Sequence, residues 1–121
     1  MQQVVRAFPV LEGQQAELEK FLKELRVDRK DETDAFYKRY GVIRETAYLQ
    51  EIAKVTFLIV VTEIDDAEKH FAAYGASQAD FEGWFKGRVK TFSGINLNDE
   101  PKGPQARRLH DWSRTGAPLE A

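Results

Sequence analysis

Cysteine is absent from this 121-residue chain. That excludes disulfides, thiolate metal sites and thiol nucleophiles, and suits a reducing compartment. Long apolar runs are absent too. The longest uninterrupted one, Phe57 to Val61, is far too short to span a membrane, and the opening MQQVVRAFPVLEGQQ lacks a basic segment followed by an apolar stretch. A cytoplasmic location with no membrane partner is therefore expected. Nor is there an excess of charge of either sign: 18 basic residues face 20 acidic ones, which provides no global drive towards nucleic acid or anionic lipid. The small cluster Lys102, Arg107 and Arg108 does not change this. Walker, Rossmann and nucleophile-elbow patterns are missing. Only two histidines are present, His70 and His110, so no metal site is expected.

What is present is 42% apolar residues, enough for one core. Residues 1–112 are expected to form a single domain and 113–121 a frayed tail. Gln3 to Val10 reads as a strand with Pro9 near its end. Leu18, Phe21, Leu22 and Leu25 then form one stripe of an amphipathic helix. A further start at Asp31 and Asp34 resembles a capping box, so this helix is expected to be long or broken near Val27. GVIRETAYLQ (Gly41 to Gln50), a polar turn, and VTFLIVV (Val55 to Val61) read as a hairpin. Asp65 with Glu68, and Ser77 with Asp80, open two further helical segments. Phe81, Trp84, Phe85, Arg88 and Phe92 trace the second of them, which Gly94 ends. Gly83 and Gly87 form a GxxxG pair, read as letting Trp84 and the backbone approach the sheet. After the loop INLNDEPKGPQ, Ala106 to Trp112 is expected as a last strand.

The resulting order, β-α-β-β-α-β, is the ferredoxin-like α+β arrangement: a four-stranded antiparallel sheet with helices on one face. VTFLIVV is apolar at both parities, so the uncovered face needs a cover. A second copy of the chain supplies it economically, which predicts a homodimer in the form of a dimeric α+β barrel.

WFKGRVKTFSGINLN (Trp84 to Asn98), the Pro- and Gly-containing loop after it, and RRLHDW (Arg107 to Trp112) resemble a bacterial family of short ferredoxin-like proteins of unknown function. The match is best from Gly41 to Trp112. At superfamily level the layout is similar to cofactor-free antibiotic-biosynthesis monooxygenases and stress-responsive dimeric barrels. That resemblance implies a small organic ligand in a cleft between sheet and helices, chemistry without a cofactor, and no particular catalytic residues. A non-catalytic dimerisation or ligand-sensing domain is the alternative.

The candidate site residues follow from strand parity. Glu45 falls between Ile43 and Ala47 on an apolar face, where a carboxylate is costly without a partner. It is either a general base or a structural charge at a sheet edge, paired across an interface with Arg107, Arg108 or His110 of another subunit. Arg44 and Tyr48 share the opposite face and can offer a cation and a phenol to a ligand. His110 and Trp112 share one parity of the expected last strand, an imidazole beside an indole. Trp84 is either core or the wall of a ligand cleft. RNA binding by the sheet is disfavoured, because KVTFLIVVTEI lacks the Gly-aromatic-Gly core that such modules use.

Overall fold

In the computed structural model the chain is an α+β domain with a three-stranded antiparallel sheet and four helices, described for residues 1–99 and 105–120. The strands are β1 (Gln2–Pro9), β2 (Val42–Ile52) and β3 (Val55–Ile64), in the spatial order β1-β3-β2. The most apolar strand, β3, is therefore central. Pro9 closes β1, where the loss of its N–H costs no ladder bond. The hairpin between β2 and β3 turns through Ala53 and Lys54, at φ 50° and 67°. Two consecutive left-handed residues match the twist of the flanking strands.

The helices are α1 (Gln15–Lys23), α2 (Lys30–Arg39), α3 (Ala67–Ala76) and α4 (Asp80–Ser93). The break expected near Val27 is a π-helical turn, Glu24–Asp28, closed by the Arg29 N–H donating to the Glu24 carbonyl at 2.8 Å. This turn keeps Leu25 in the core and leaves Val27 in solvent. Asp31 and Asp34 do not cap α2, since Arg29 occupies the cap position and Asp34 pairs with Lys30 instead. The cap of α3 is Asp66, one residue beyond the expected Asp65, accepting from the Lys69 N–H. Gly94, at φ 77°, ends α4 as expected.

The four-stranded ferredoxin-like sheet does not form, and the dimeric barrel built on such a sheet goes with it. The segment expected as the last strand, Ala106 to Trp112, has no regular structure. It meets the outer edge of β1 through an isolated antiparallel bridge between Arg6 and Gln105 and through the Ala106 N–H, which donates to the Val5 carbonyl at 2.7 Å. Beyond that point the reason is visible in the side chains. Leu109 and Trp112 are 81% and 76% exposed, so the segment buries no apolar face against which a strand would be fixed. Further on, Glu120 bridges Gln2 and its carboxylate pairs with the Met1 ammonium. Pro101, Lys102, Gly103 and Pro104 of the preceding loop lie outside the described residues.

All four helices lie over one face of the sheet. Phe8, Leu58 and Val60 from that face pack with Leu18, Phe21, Leu25, Phe36, Val89 and Phe92. Phe36 is the hub of an aromatic cluster, with ring centroids of Tyr37, Tyr40, Tyr74, Phe81 and Phe85 between 5.0 and 5.5 Å away. The stem of Arg88 lies along this layer as its position implied, its guanidinium 5.4 Å from the Phe21 centroid and 2.7 Å from Glu24. Gly83 and Gly87 behave otherwise than expected. A Cβ added at either meets nothing within 4 Å, so the pair faces open space and no close approach to the sheet depends on it. Gly41 is the demanding glycine: its φ is 67°, and a Cβ there would come within 2.5 Å of the His70 ring. The other face of the sheet carries Val5, Ala7, Tyr48, Phe57, Ile59 and Val61, pointing away from the helices.

Glu82 ties the helices together. Only 1% exposed, it accepts from Arg39 of α2 at 2.7 Å and from Ser77, before α4, at 2.8 Å, with the Tyr40 hydroxyl at 3.4 Å. Burial alone would push its carboxyl up from the ordinary 4.5, but the hydrogen bonds from Ser77 and Arg39 outweigh burial and hold it below that value. A carboxyl depressed in the folded state contributes stability that is complete above the unfolded pKa and is lost as pH falls through the folded one. Glu82→Gln is therefore expected to lower the melting temperature by several degrees near neutral pH. The gap to the unaltered protein should close as pH falls below the ordinary carboxylate range and through the depressed folded-state pKa. Melting curves followed by circular dichroism check this, and a gap independent of pH would contradict the assignment.

Candidate functional site

Two opposite charges stand on the helix-facing side of the sheet, one on each strand flanking β3. Arg6 of β1 lies opposite Val60, and Glu45 of β2 lies opposite Thr62, so the side chains meet diagonally across the central strand. The register of both pairings thus builds the pair. Arg6 Nη2 lies 3.4 Å from Glu45 Oε1, and the Thr62 hydroxyl donates to the same oxygen at 2.8 Å. The side chains are 10% and 16% exposed. A pair this buried survives only when further contacts offset its desolvation. The guanidinium of Arg6 finds them in the rings of Phe8 and Phe71, with centroids at 5.5 and 5.4 Å. Its Nε has no hydrogen-bond partner among the described residues.

Two phenols complete the cluster. Burial first, and then the adjacent Glu45 carboxylate, push the Tyr37 hydroxyl far above its ordinary range. Burial does the same to Tyr74, opposed by Arg6 and reinforced by Glu45. Both phenols are consequently neutral hydrogen-bonding groups at any physiological pH. The Tyr74 hydroxyl, like Arg6 Nε, has no partner among the described residues.

Arg6, Glu45 and Tyr37 of this cluster line an apolar cavity of about 590 Å³ between the sheet and α1, α2 and α4. Phe8, Leu58 and Val60 floor it, while Phe21, Leu25, Phe85 and Val89 belong to the helical side. The lining residues that are exposed are Arg26, Lys30, Asp34 and Ala47, so the cavity opens between the π-helical turn and the β2 edge. The π-helical turn contributes Leu25 and Arg26 to the lining. A smaller void of about 50 Å³, reaching Tyr74 and His70, lies on the other side of the cluster; Arg6, Tyr37 and Glu45 line both. The composition is that of a ligand pocket: mostly apolar walls and a few convergent polar groups. By contrast, a hollow of about 720 Å³ at the Pro9–Ala16 and Lys54–Thr56 loops is lined mainly by exposed side chains and has no buried polar group at its end.

Of the residues singled out in the sequence, only Glu45 belongs to this cluster. Its basic partner is Arg6 of the same chain; Arg107, Arg108 and His110 are exposed in the C-terminal segment. Arg44 and Tyr48 are on the opposite face of the sheet, Arg44 reaching Glu63 at 4.0 Å. Trp84 packs on Phe21 and Phe81 beneath the guanidinium of Arg29, 4.2 Å from its ring, and lines neither void. His110 and Trp112 share no strand and are exposed. Sequence reasoning passed over Arg6, Tyr37, Thr62 and Tyr74. A signal for Arg6 was available, because it interrupts the parity Val4, Phe8, Val10 just as Glu45 interrupts Ile43, Ala47, Leu49. Two opposite charges on apolar faces of one sheet are candidates for a pair.

Among the described residues, no group of three or more histidine, aspartate or glutamate side chains is placed to hold a metal ion, and no helix is long and apolar enough to cross a membrane. Comparison with protein-family models, curated proteins and solved structures found no match, which leaves the geometry of the site to carry the functional argument.

An unpartnered buried hydroxyl destabilises a fold, and replacing it by an apolar isostere relieves the cost. Tyr74→Phe is accordingly expected to be neutral or to stabilise the protein by up to about 1 kcal/mol. Chemical denaturation measures this. A loss of more than about 1 kcal/mol would show that the hydroxyl is bonded in the folded protein.

Proposed function

We propose that this chain is a small-molecule-binding protein whose ligand occupies the cavity between sheet and helices, its polar group meeting Arg6 and Glu45. The observation that carries the reading is the cavity itself: about 590 Å³ of mostly apolar space whose lining includes the Arg6–Glu45 pair and the Tyr37 side chain. Binding has firmer support than turnover of a monooxygenase kind. Among the described lining residues no hydroxyl stands beside a histidine, and Glu45 is already engaged by Arg6 and Thr62.

The neutral tricycle 1-aminoanthracene, which brightens in apolar surroundings, tests this directly. It is expected to bind with one-to-one saturation. Ala47→Trp places an indole at the opening, where the lost methyl is exposed, and should abolish binding while the melting temperature changes little. Undiminished binding by that variant would put the dye elsewhere and remove the cavity from the argument.

A separate observation favours self-association. The face of the sheet turned from the helices presents Val5, Ala7, Phe57, Ile59 and Val61, with Tyr48 58% exposed. Contiguous apolar surface of this kind marks an interface, and in this reading a second copy packs its equivalent face on it as a closed homodimer. Sedimentation at micromolar concentration should give twice the chain mass, and Ile59→Asp should give a folded monomer. A monomer before substitution would contradict the proposal.

A further inference from the structure

We propose that the cavity selects an apolar ligand bearing a hydroxyl group, a phenol or an alcohol, over ligands carrying a carboxylate or an ammonium group. The inference rests on the cavity reading and adds the chemical class of the ligand. Its basis is the charge balance around the pair. Arg6 and Glu45 are one cation and one anion within 3.4 Å, and burial keeps the phenol of Tyr37 neutral, so this part of the cavity has no net charge to offer. A carboxylate entering it would be desolvated beside Glu45, and an ammonium beside Arg6. Either cost exceeds what a single new hydrogen bond returns.

A hydroxyl fits both partners at once, being one donor and two acceptor positions. It can donate to the Glu45 carboxylate while accepting from the Arg6 guanidinium, both residues lining the cavity. Hydrogen bonds to ionised groups are the stronger kind, and here both would form away from bulk water. At the opening, Lys30 is paired with Asp34 at 2.7 Å, which leaves Arg26 as the charge there, among the described lining residues, for a carboxylate-bearing ligand. That side chain is exposed, so its attraction is screened.

Displacement of 1-aminoanthracene by four biphenyls of similar size decides the matter: 4-phenylphenol, 4-methoxybiphenyl, biphenyl-4-carboxylate and 4-phenylbenzylammonium. The phenol is expected to displace the dye at concentrations about tenfold or more below each of the others. In Glu45→Gln, which keeps the shape and removes the charge, the advantage of the phenol over its methyl ether should shrink severalfold. Equal or tighter binding of the carboxylate or the ammonium compound overturns the inference, as does a phenol preference untouched by Glu45→Gln. If that variant does not fold, the series on the unaltered protein decides alone. Dye that binds without any phenol preference defeats this inference and spares the cavity reading; dye that does not bind defeats both.

Discussion

Most of what distinguishes this structure follows from burying an arginine and a glutamate on the face of a sheet that a core of aromatic and aliphatic side chains covers. Neither charge would be tolerable there alone, because each isolated ion loses several kcal/mol or more of hydration. The pair fixes the register of both flanking strands, since a slip of one residue in β1 or β2 would send one charge to the far side of the sheet. Both members of the pair also line the cavity. Thr62 donates to Glu45, Tyr37 of α2 stands beside that carboxylate, and Thr62 and Tyr74 line the smaller void beyond.

The helical layer adapts to the same constraint. Continuous α-helix from Gln15 to Arg39 would be a straight rod. The π-helical turn at Glu24–Asp28 instead lets α1 and α2 pack as separate elements, α1 against α4 and α2 against both β2 and α4. Glu82 then fastens the end of α2 to the start of α4 by accepting from Arg39, Tyr40 and Ser77. Two buried carboxylates thus divide the labour. Glu82 is saturated with donors and serves cohesion, whereas Glu45 lines the cavity beside Arg6.

The sequence made much of this legible, and its failures have identifiable causes. The stripe Leu18, Phe21, Leu25 and the stop at Gly94 are set by local periodicity and backbone preference, and both stand in the structure. The helix break near Val27 was visible as a pause between two amphipathic patterns. The missing fourth strand was expected from order alone: in Ala106 to Trp112 the apolar residues Ala106, Leu109 and Trp112 fall three apart, so neither parity is an apolar face, and Leu109 and Trp112 are exposed. The site was half legible. Parity put Glu45 on an apolar face, but its partner is 39 positions away on a strand that is not its neighbour. Only the order β1-β3-β2 brings Arg6 within reach. Tyr37 and Tyr74 were hidden for another reason: on amphipathic helices an aromatic at a core position looks the same whether its hydroxyl is bonded or free.

The claim on which the account depends is that Arg6 and Glu45 act as one unit, and a double-mutant cycle measures this directly. Stability would be determined by denaturant unfolding for the unaltered protein, Arg6→Met, Glu45→Gln and the double substitution. The account predicts that the single changes each leave a buried group without its partner, so that the double variant loses markedly less than their sum, with a coupling of about 1–3 kcal/mol. Effects that add within about 0.5 kcal/mol would show that the two residues do not depend on each other, and would contradict the account at its root.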